Sequence, residues 1–201
     1  MDASSSFEPL NTSITLFFTS CAVGALLIAL FITSDELEIT LEKAINLLKT
    51  ILPPHAFFRR GPQIGPMVFM TDDSSAERNA LELCWPQETR LLCTFHVLQA
   101  FWRWLYDSKH YINKENRTII MEKMKKILYA SSISEMETNY NEFKQSFYCS
   151  YPLLKKHFEQ LWERCHFWAQ SFRSGLLIRG NHTNNYVERS FCTLKDIIFS
   201  R

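Results

Sequence analysis

From Ser13 to Thr33 the chain reads SITLFFTSCAVGALLIALFIT, without a single charged residue. Such a run has two destinations. It can cross a bilayer as one helix, for which it is long enough, or it can be buried as strands in a folded core. Three features favour strands. The middle, Ser20-Cys21-Ala22-Val23-Gly24, can serve as a hairpin turn, and the flanking halves are rich in Ile, Phe, Leu and Thr at strand length. No Lys or Arg stands near the run before Lys43, so the positive charge that orients a membrane helix is missing. Two buried strands are therefore expected, with a membrane protein carrying a helix at 13–33 as the alternative.

The rest of the chain alternates in kind. Thr33 and Glu36 have the spacing of a capping box for a helix to about Leu52, with Leu37, Leu41, Ala44, Ile45, Leu48 and Leu52 on one face. LPPHAFFRRGPQIGP (Leu52 to Pro66) is loop by its prolines and glycines. MVFM (Met67 to Met70) reads as a strand, followed by a short helix ending near Cys84-Trp85-Pro86. TRLLCTF (Thr89 to Phe95) reads as another strand, and His96 to His110 as an aromatic-rich helix. From Lys114 to Arg173 the pattern is only helical. Ile120, Met121, Met124, Ile127 and Leu128 form one face; Met136, Tyr140, Phe143 and Phe147 form a second, capped by Ser134 and Glu137; Pro152 opens a third helix. A last helix is expected from about Asn184 to Phe199. The fold class is thus α/β with an all-helical insertion: sheet and helices over 1–110, insertion over 111–180, final helix over 181–201. With 201 residues, 46% of them hydrophobic, this suits one domain with a sizeable core or one domain plus a small appendage.

Charge excludes one class of partner binding. Lys and Arg total 22 against 21 Asp and Glu, so bulk positive charge does not hold this chain on nucleic acid. Phosphate contacts would need local patches such as Arg59-Arg60 or Arg173 to Arg179, though such clusters are most often solvated surface. The cysteines form no C-x-x-C pair and the N-terminus has no secretory pattern, so the thiols are expected to be reduced and the compartment nuclear or cytosolic. The sequons at Asn11, Asn116 and Asn181 are then chance matches.

The strand MVFM runs, after Thr71, into two adjacent carboxylates, Asp72 and Asp73. Paired carboxylates repel unless a cation sits between them, so a strand end of this kind suggests a divalent ion, Mg²⁺ by its preference for carboxylate oxygens. The plainer alternative is that Asp73 and Ser74 only cap the following helix. A metal site needs further carboxylates, and Asp2 and Glu188 are the candidates.

FMTDDSSAERNALELCWPQETRLLCTFHVLQAFWRWL, together with TNNYVERSFCTLKD near the end, resembles the catalytic core of the Mutator-like (MULE) transposases, which belong to the DDE class and use an RNase H-like fold. The resemblance runs from Asp2 to Arg201, on a strand ending in T-D, a W-P further on, C-x-x-H, and N-N-x-x-E far downstream. It implies Asp2, Asp72 and Glu188 as catalytic residues and Mg²⁺ ligands, with Asp73 as the alternate second carboxylate. It also implies two Mg²⁺ ions (Mn²⁺ as substitute) cutting and joining DNA. The partners would be transposon ends and target DNA, the assembly a homo-oligomer, and the compartment the nucleus. The family's C-x-x-H falls on Cys93 and His96, in a structural or near-site role. The helical insertion would pack near bound DNA.

Where the family has a central first strand ahead of its first aspartate, this chain has only Met1. That strand is therefore expected to be missing, and the chain to be a truncated piece of such an enzyme. A non-catalytic relic or a DNA- or protein-binding module is the alternative. Zinc at Cys93 and His96 would need two more ligands at a recognisable spacing, and only Cys165-His166 is near in type. In FWRWLY (Phe101 to Tyr106), base stacking is conceivable, but the spacing of Phe101, Trp104 and Leu105 suits packing. Glu188 alone would pass for an exposed helix charge.

Overall fold

The computed structural model describes residues 1–4, 12–21, 24–178, 180–183, 185–194 and 196. It is mixed α/β and gathers into two compact units, Met1–Leu91 with Leu177–Arg201, and Leu92–Leu176.

In the first unit the uncharged run is a β-hairpin. β2 (Ser13–Cys21) and β3 (Gly24–Thr33) pair antiparallel from Ser13↔Thr33 to Cys21↔Gly24, with a register shift at Phe17/Phe18. The alternative of a helix at 13–33 is thereby overturned, and among the described residues no helix is long and apolar enough to cross a membrane. Strand alternation divides β2 between two layers. Ile14 and Leu16 meet Val187 and Phe191 of α10 (Asn185–Thr193), while Phe17 meets Leu41, Ile45 and Leu48 of α1 (Glu38–Ile51), with Phe69 and Trp85. β3 is not buried as β2 is: Leu26 is 58% and Ile32 68% exposed. It is the outer strand, covered by nothing beyond it among the described residues.

β1 (Asp2–Ser4) begins at Asp2, whereas the resemblance implies a first strand that ends at this aspartate. It is a three-residue strand, antiparallel to β2, with Asp2 opposite Leu16 and Ser4 opposite Ile14. On its other side the Met1 amino group donates to Met70 O at 2.8 Å, next to β4 (Val68–Thr71). β4 in turn pairs with β5 (Thr89–Leu92). Thr89 N donates to Met67 O at 2.8 Å, joining the starts of both strands, so they run parallel with α4 (Ser75–Cys84) as the crossover.

α1 buries Leu41, Ile45 and Leu48, as its periodicity requires, but Leu37 is its exposed N-cap. The expected Thr33/Glu36 capping box does not form. Thr33 is the last residue of the β3 ladder and donates to Asp35 O at 2.8 Å, while Glu36 Oε1 accepts from Ser13 Oγ at 2.8 Å. The Pro-rich loop winds into single turns, α2 (Ala56–Arg59) and α3 (Gly61–Ile64). Gly65, at φ +77°, lies so close under the Trp85 ring that a Cβ there would collide with it.

The second unit is helical: α5 (Thr94–Tyr106), α6 (Lys114–Leu128), α7 (Ile133–Phe147), α8 (Pro152–Glu163) and the short α9 (Cys165–Trp168). It begins at Leu92, so it takes in α5 as well as the segment expected to be inserted. The preceding strand stops at Leu92 rather than Phe95 because Cys93 is already the N-cap of α5. Phe101 and Leu105 are buried and Trp104 packs against the same cluster, which gives the aromatic run the packing role its spacing suggested. The core stacks Phe158 on Phe143 at 4.2 Å between ring centres. Pro152 opens α8 as expected. The cap of α7 is Ser132 with Glu135, two residues before the expected Ser134 and Glu137: Ser132 Oγ accepts from Glu135 N at 3.2 Å, and Glu135 Oε2 accepts from Ser131 N at 2.8 Å.

Candidate functional site

Hydrogen bonding fixes the strand-to-helix junction at the end of β4 atom by atom. Phe69 and Thr71 point inward, and Thr71 Oγ1 donates to Asp72 O at 2.8 Å. Asp72 Oδ1 accepts from Ser74 N at 3.0 Å, an Asx-type turn that holds the carboxylate in one orientation, half-buried. Ser74 Oγ then accepts from Glu77 N at 3.3 Å as the N-cap of α4. The two aspartates are thus unlike. Asp73 is exposed and pairs with Arg78 at 3.6 Å, whereas Asp72 is built into the turn.

The other two carboxylate positions belong to segments nearby in the same unit. Asp2 is placed by its backbone in β1, opposite Leu16, one residue from the amino group that binds Met70 O. Glu188 follows Val187 on α10, and Val187 packs on Ile14 and Leu16. Two of the three segments are therefore in direct backbone or packing contact with β2, and β1 links them to β4. Among the described residues, no group of three or more His, Cys, Asp or Glu could hold a metal ion.

Cys93 is fully buried at the start of α5 and His96 is half-buried one turn on. With no metal-holding group among the described residues, the zinc alternative gains nothing. Of the arginines considered for phosphate, Arg59 is exposed and Arg60 donates to Gly65 O at 2.8 Å. Arg173 is corrected outright. It is 3% exposed and donates to Leu92 O at 2.5 Å and Phe167 O at 3.2 Å, tying the two ends of the helical unit together. Burial lowers its pKa to about 10. Arg179, Asn184 and Ile198 lie outside the described residues.

Two titratable sites escaped the sequence reading. Glu88, its side chain 1% exposed, pairs with Arg90 Nε at 2.9 Å, and Arg90 reaches Glu82 at 2.5 Å. Burial pushes the Glu88 carboxyl up to about 7 against the pull of Arg90. In the helical unit His157 stacks on Trp104 at 4.4 Å, and Trp104 stacks in turn on His110 at 3.9 Å. Burial, then the His110 charge, draws His157 down to about 4. Neither stands out in the sequence, since Glu88 lies beside Gln87, Thr89 and Arg90 and His157 beside Lys155, Lys156 and Glu159, polar neighbours that give no sign of burial.

A scan against models of protein families matches none, and a search of the curated proteins finds no match for the chain.

Proposed function

We propose that the chain is a Mutator-like, DDE-type transposase domain of RNase H-like fold, with Asp2, Asp72 and Glu188 as its catalytic carboxylates. The observation that supports this reading most is the hydrogen bond from Met1 to Met70, which sets β1 beside β4 and so draws the Asp2 backbone toward the Asp72 turn. Asp72 is the position best fitted for an ion, because Ser74 N already orients its carboxylate and an all-carboxylate donor set suits a hard cation. Bound there, Mg²⁺ would stabilise the charge on a scissile phosphate and activate water or a DNA 3′-hydroxyl. Asp72 holds its place at the strand end, Glu188 approaches from α10, and Asp73 stays outside as a surface charge paired with Arg78. DNA is the substrate in this reading, the nucleus its compartment, and a homo-oligomer the working assembly.

The test is nicking of supercoiled DNA with Mg²⁺ or Mn²⁺, together with Mn²⁺-induced broadening of amide resonances around Asp72. Asp72→Asn and Glu188→Gln should each abolish nicking, and Asp72→Asn should remove the broadening. Nicking that persists in both variants overturns the residue assignment. A chain that neither nicks DNA nor shows broadening at Asp72 is a non-catalytic relic or binding module.

A further inference from the structure

Part of the aromatic run on α5 stays out of the core. Phe101, Trp104 and Leu105 pack inward, whereas Trp102 is 39% and Tyr106 45% exposed. These two stand one helical turn apart, and their rings stack at 4.2 Å between centres, tilted by 35°. The guanidinium of Arg117, on α6, lies over the Tyr106 ring at 4.8 Å from its centre. Two groups so close to one ring take its opposite faces. Arg117 is itself held, because its Nε donates to Ile112 O at 3.1 Å. The helical unit thus carries a surface stack of three layers, Arg117, Tyr106 and Trp102. It is anchored on α6 at one end and finishes at the other in an indole whose one ring partner, among the described residues, is Tyr106. Phe95, also exposed, lies two turns before Trp102 on the same face of α5. Exposed cations accompany the stack. Arg103 neighbours Tyr106 on α5, Lys114 neighbours Arg117 on α6, and Lys109 lies on the turn between the two helices.

We propose that this stack is a platform for an unpaired segment of DNA, with one base laid on Trp102 and the adjoining phosphates on Arg103 and Lys114. A flat ring that ends a stack gains by accepting another flat ring, and every base offers one. In a duplex the base faces are covered by the neighbouring pairs, so only a base outside the double helix can add a layer. Charge selects nucleic acid over an apolar partner. Between residues 102 and 117 there are four cations, Arg103, Lys109, Lys114 and Arg117, against two carboxylates, Asp107 and Glu115. Asp107 is engaged as a cap, accepting from Lys109 N at 3.0 Å. A partner helix laid on Trp102 and Tyr106 by its apolar face would bring these cations no countercharge, whereas a phosphate chain brings it at every step. Because Arg117 and Tyr106 are already stacked, little side-chain freedom is lost when the base arrives. The choice of DNA over RNA rests on the proposed function. The stacking and the phosphate contacts do not involve Asp2, Asp72, Glu188 or a metal ion.

The probe is a fluorescent strand of about twelve thymidines, titrated with the full chain at low salt while its anisotropy is read. EDTA is present throughout, so the carboxylate site, which needs a metal ion, adds nothing. A chain that fails to nick DNA can therefore pass this test, and a chain that nicks can fail it. Trp102→Ala should weaken binding about tenfold, and Trp102→Phe, which keeps a ring, by no more than about threefold. Arg103→Ala should flatten the dependence of log affinity on log salt by about 0.7. A hairpin duplex of the same length should bind at least about tenfold more weakly than the single strand. No binding by the unaltered chain, or undiminished binding by Trp102→Ala, overturns the proposal. Equal affinity for the duplex also overturns it, since phosphate contacts alone would then account for the binding. A strand of uridines held as tightly as the thymidines overturns DNA as the occupant.

Discussion

The sheet unit buries an acid and the helical unit buries a base, and the same physics sends their stabilities in opposite directions with pH. Removal from water penalises whichever form is charged. For Glu88 that raises the carboxyl to about 7; for His157 it lowers the imidazole to about 4. A raised acid binds its proton more tightly folded than unfolded, so its contribution is complete below about 4.5 and is lost as the pH climbs to about 7. A depressed base behaves in reverse. Its contribution is complete above about 6.5 and is lost as the pH falls to about 4. The construction of the units differs in parallel. The sheet unit is assembled from segments at both ends of the chain, whereas the helical unit is continuous and is closed on itself by Arg173.

The strongest way to break this comparison is to empty the helical core. Phe158 is fully buried, stacked on Phe143 and edge-on to Phe101 at 5.6 Å. Phe158→Ala should cost that unit about 4 kcal/mol, through lost transfer energy and the cavity left behind. Amide exchange read residue by residue should show the loss in α5–α8 and leave β2 and α4 protected. Equal loss in β2 would mean that the units do not unfold separately, and the opposed pH dependences would then merge into one.

Glu88 comes next. Between pH 4.5 and 7 its titration should remove roughly 3 kcal/mol from the sheet unit. Glu88→Gln, which keeps the shape without the charge, should level the curve in that window. The readout is the protection of β4 and α4 amides in wild type and variant across the range. Wild-type and variant curves that run parallel from pH 4.5 to 7 would show that Arg90 compensates the burial fully.

His157 should give a smaller, opposite slope. It is half-buried, so water softens the penalty, and about 2 kcal/mol is expected to disappear between pH 6.5 and 4. His157→Phe retains the stack on Trp104 and removes the proton site. In that variant the acid-side loss of α5 and α8 protection should shrink. A variant as acid-sensitive as the wild type would show that the His157 proton is not the source of the acid-side loss.

Much of this was legible in the residues, and the gaps have definite causes. The uncharged run resolved into a hairpin because its composition and central turn outweighed its length. The faces of α6 and α7 could be read from spacing alone, since every buried position recurs at helical period. Caps fared worse. Thr33 and Ser134 had the right neighbours for capping boxes, but Thr33 was claimed by a strand and the α7 boundary fell two residues earlier, at Ser132. β1 was not foreseen because three residues carry no periodicity; β2 and the Met70 carbonyl hold it in place, and neither is local in sequence. The burial of Arg173 has the same origin, since its partner Leu92 O is far away along the chain. At the candidate site, the T-D turn and the cap after it were readable, whereas the approach of β1 and α10 is wholly tertiary.

The junction at Asp72, Asp73 and Ser74 supports the finest test, because three adjacent polar residues do three different things. Ser74→Ala removes the acceptor for Glu77 N and should cost the sheet unit about 1 kcal/mol, seen as faster exchange at the start of α4. Asp73→Asn weakens an exposed pair with Arg78, held at 3.6 Å, and should change stability by no more than a few tenths of a kcal/mol. The ratio carries the information. If Asp73→Asn costs as much as Ser74→Ala, the charge at Asp73 is acting on the helix N-terminus and both aspartates belong to the start of α4. If it costs next to nothing, the second aspartate is surface, and Asp72 alone is the residue that the turn was built to hold.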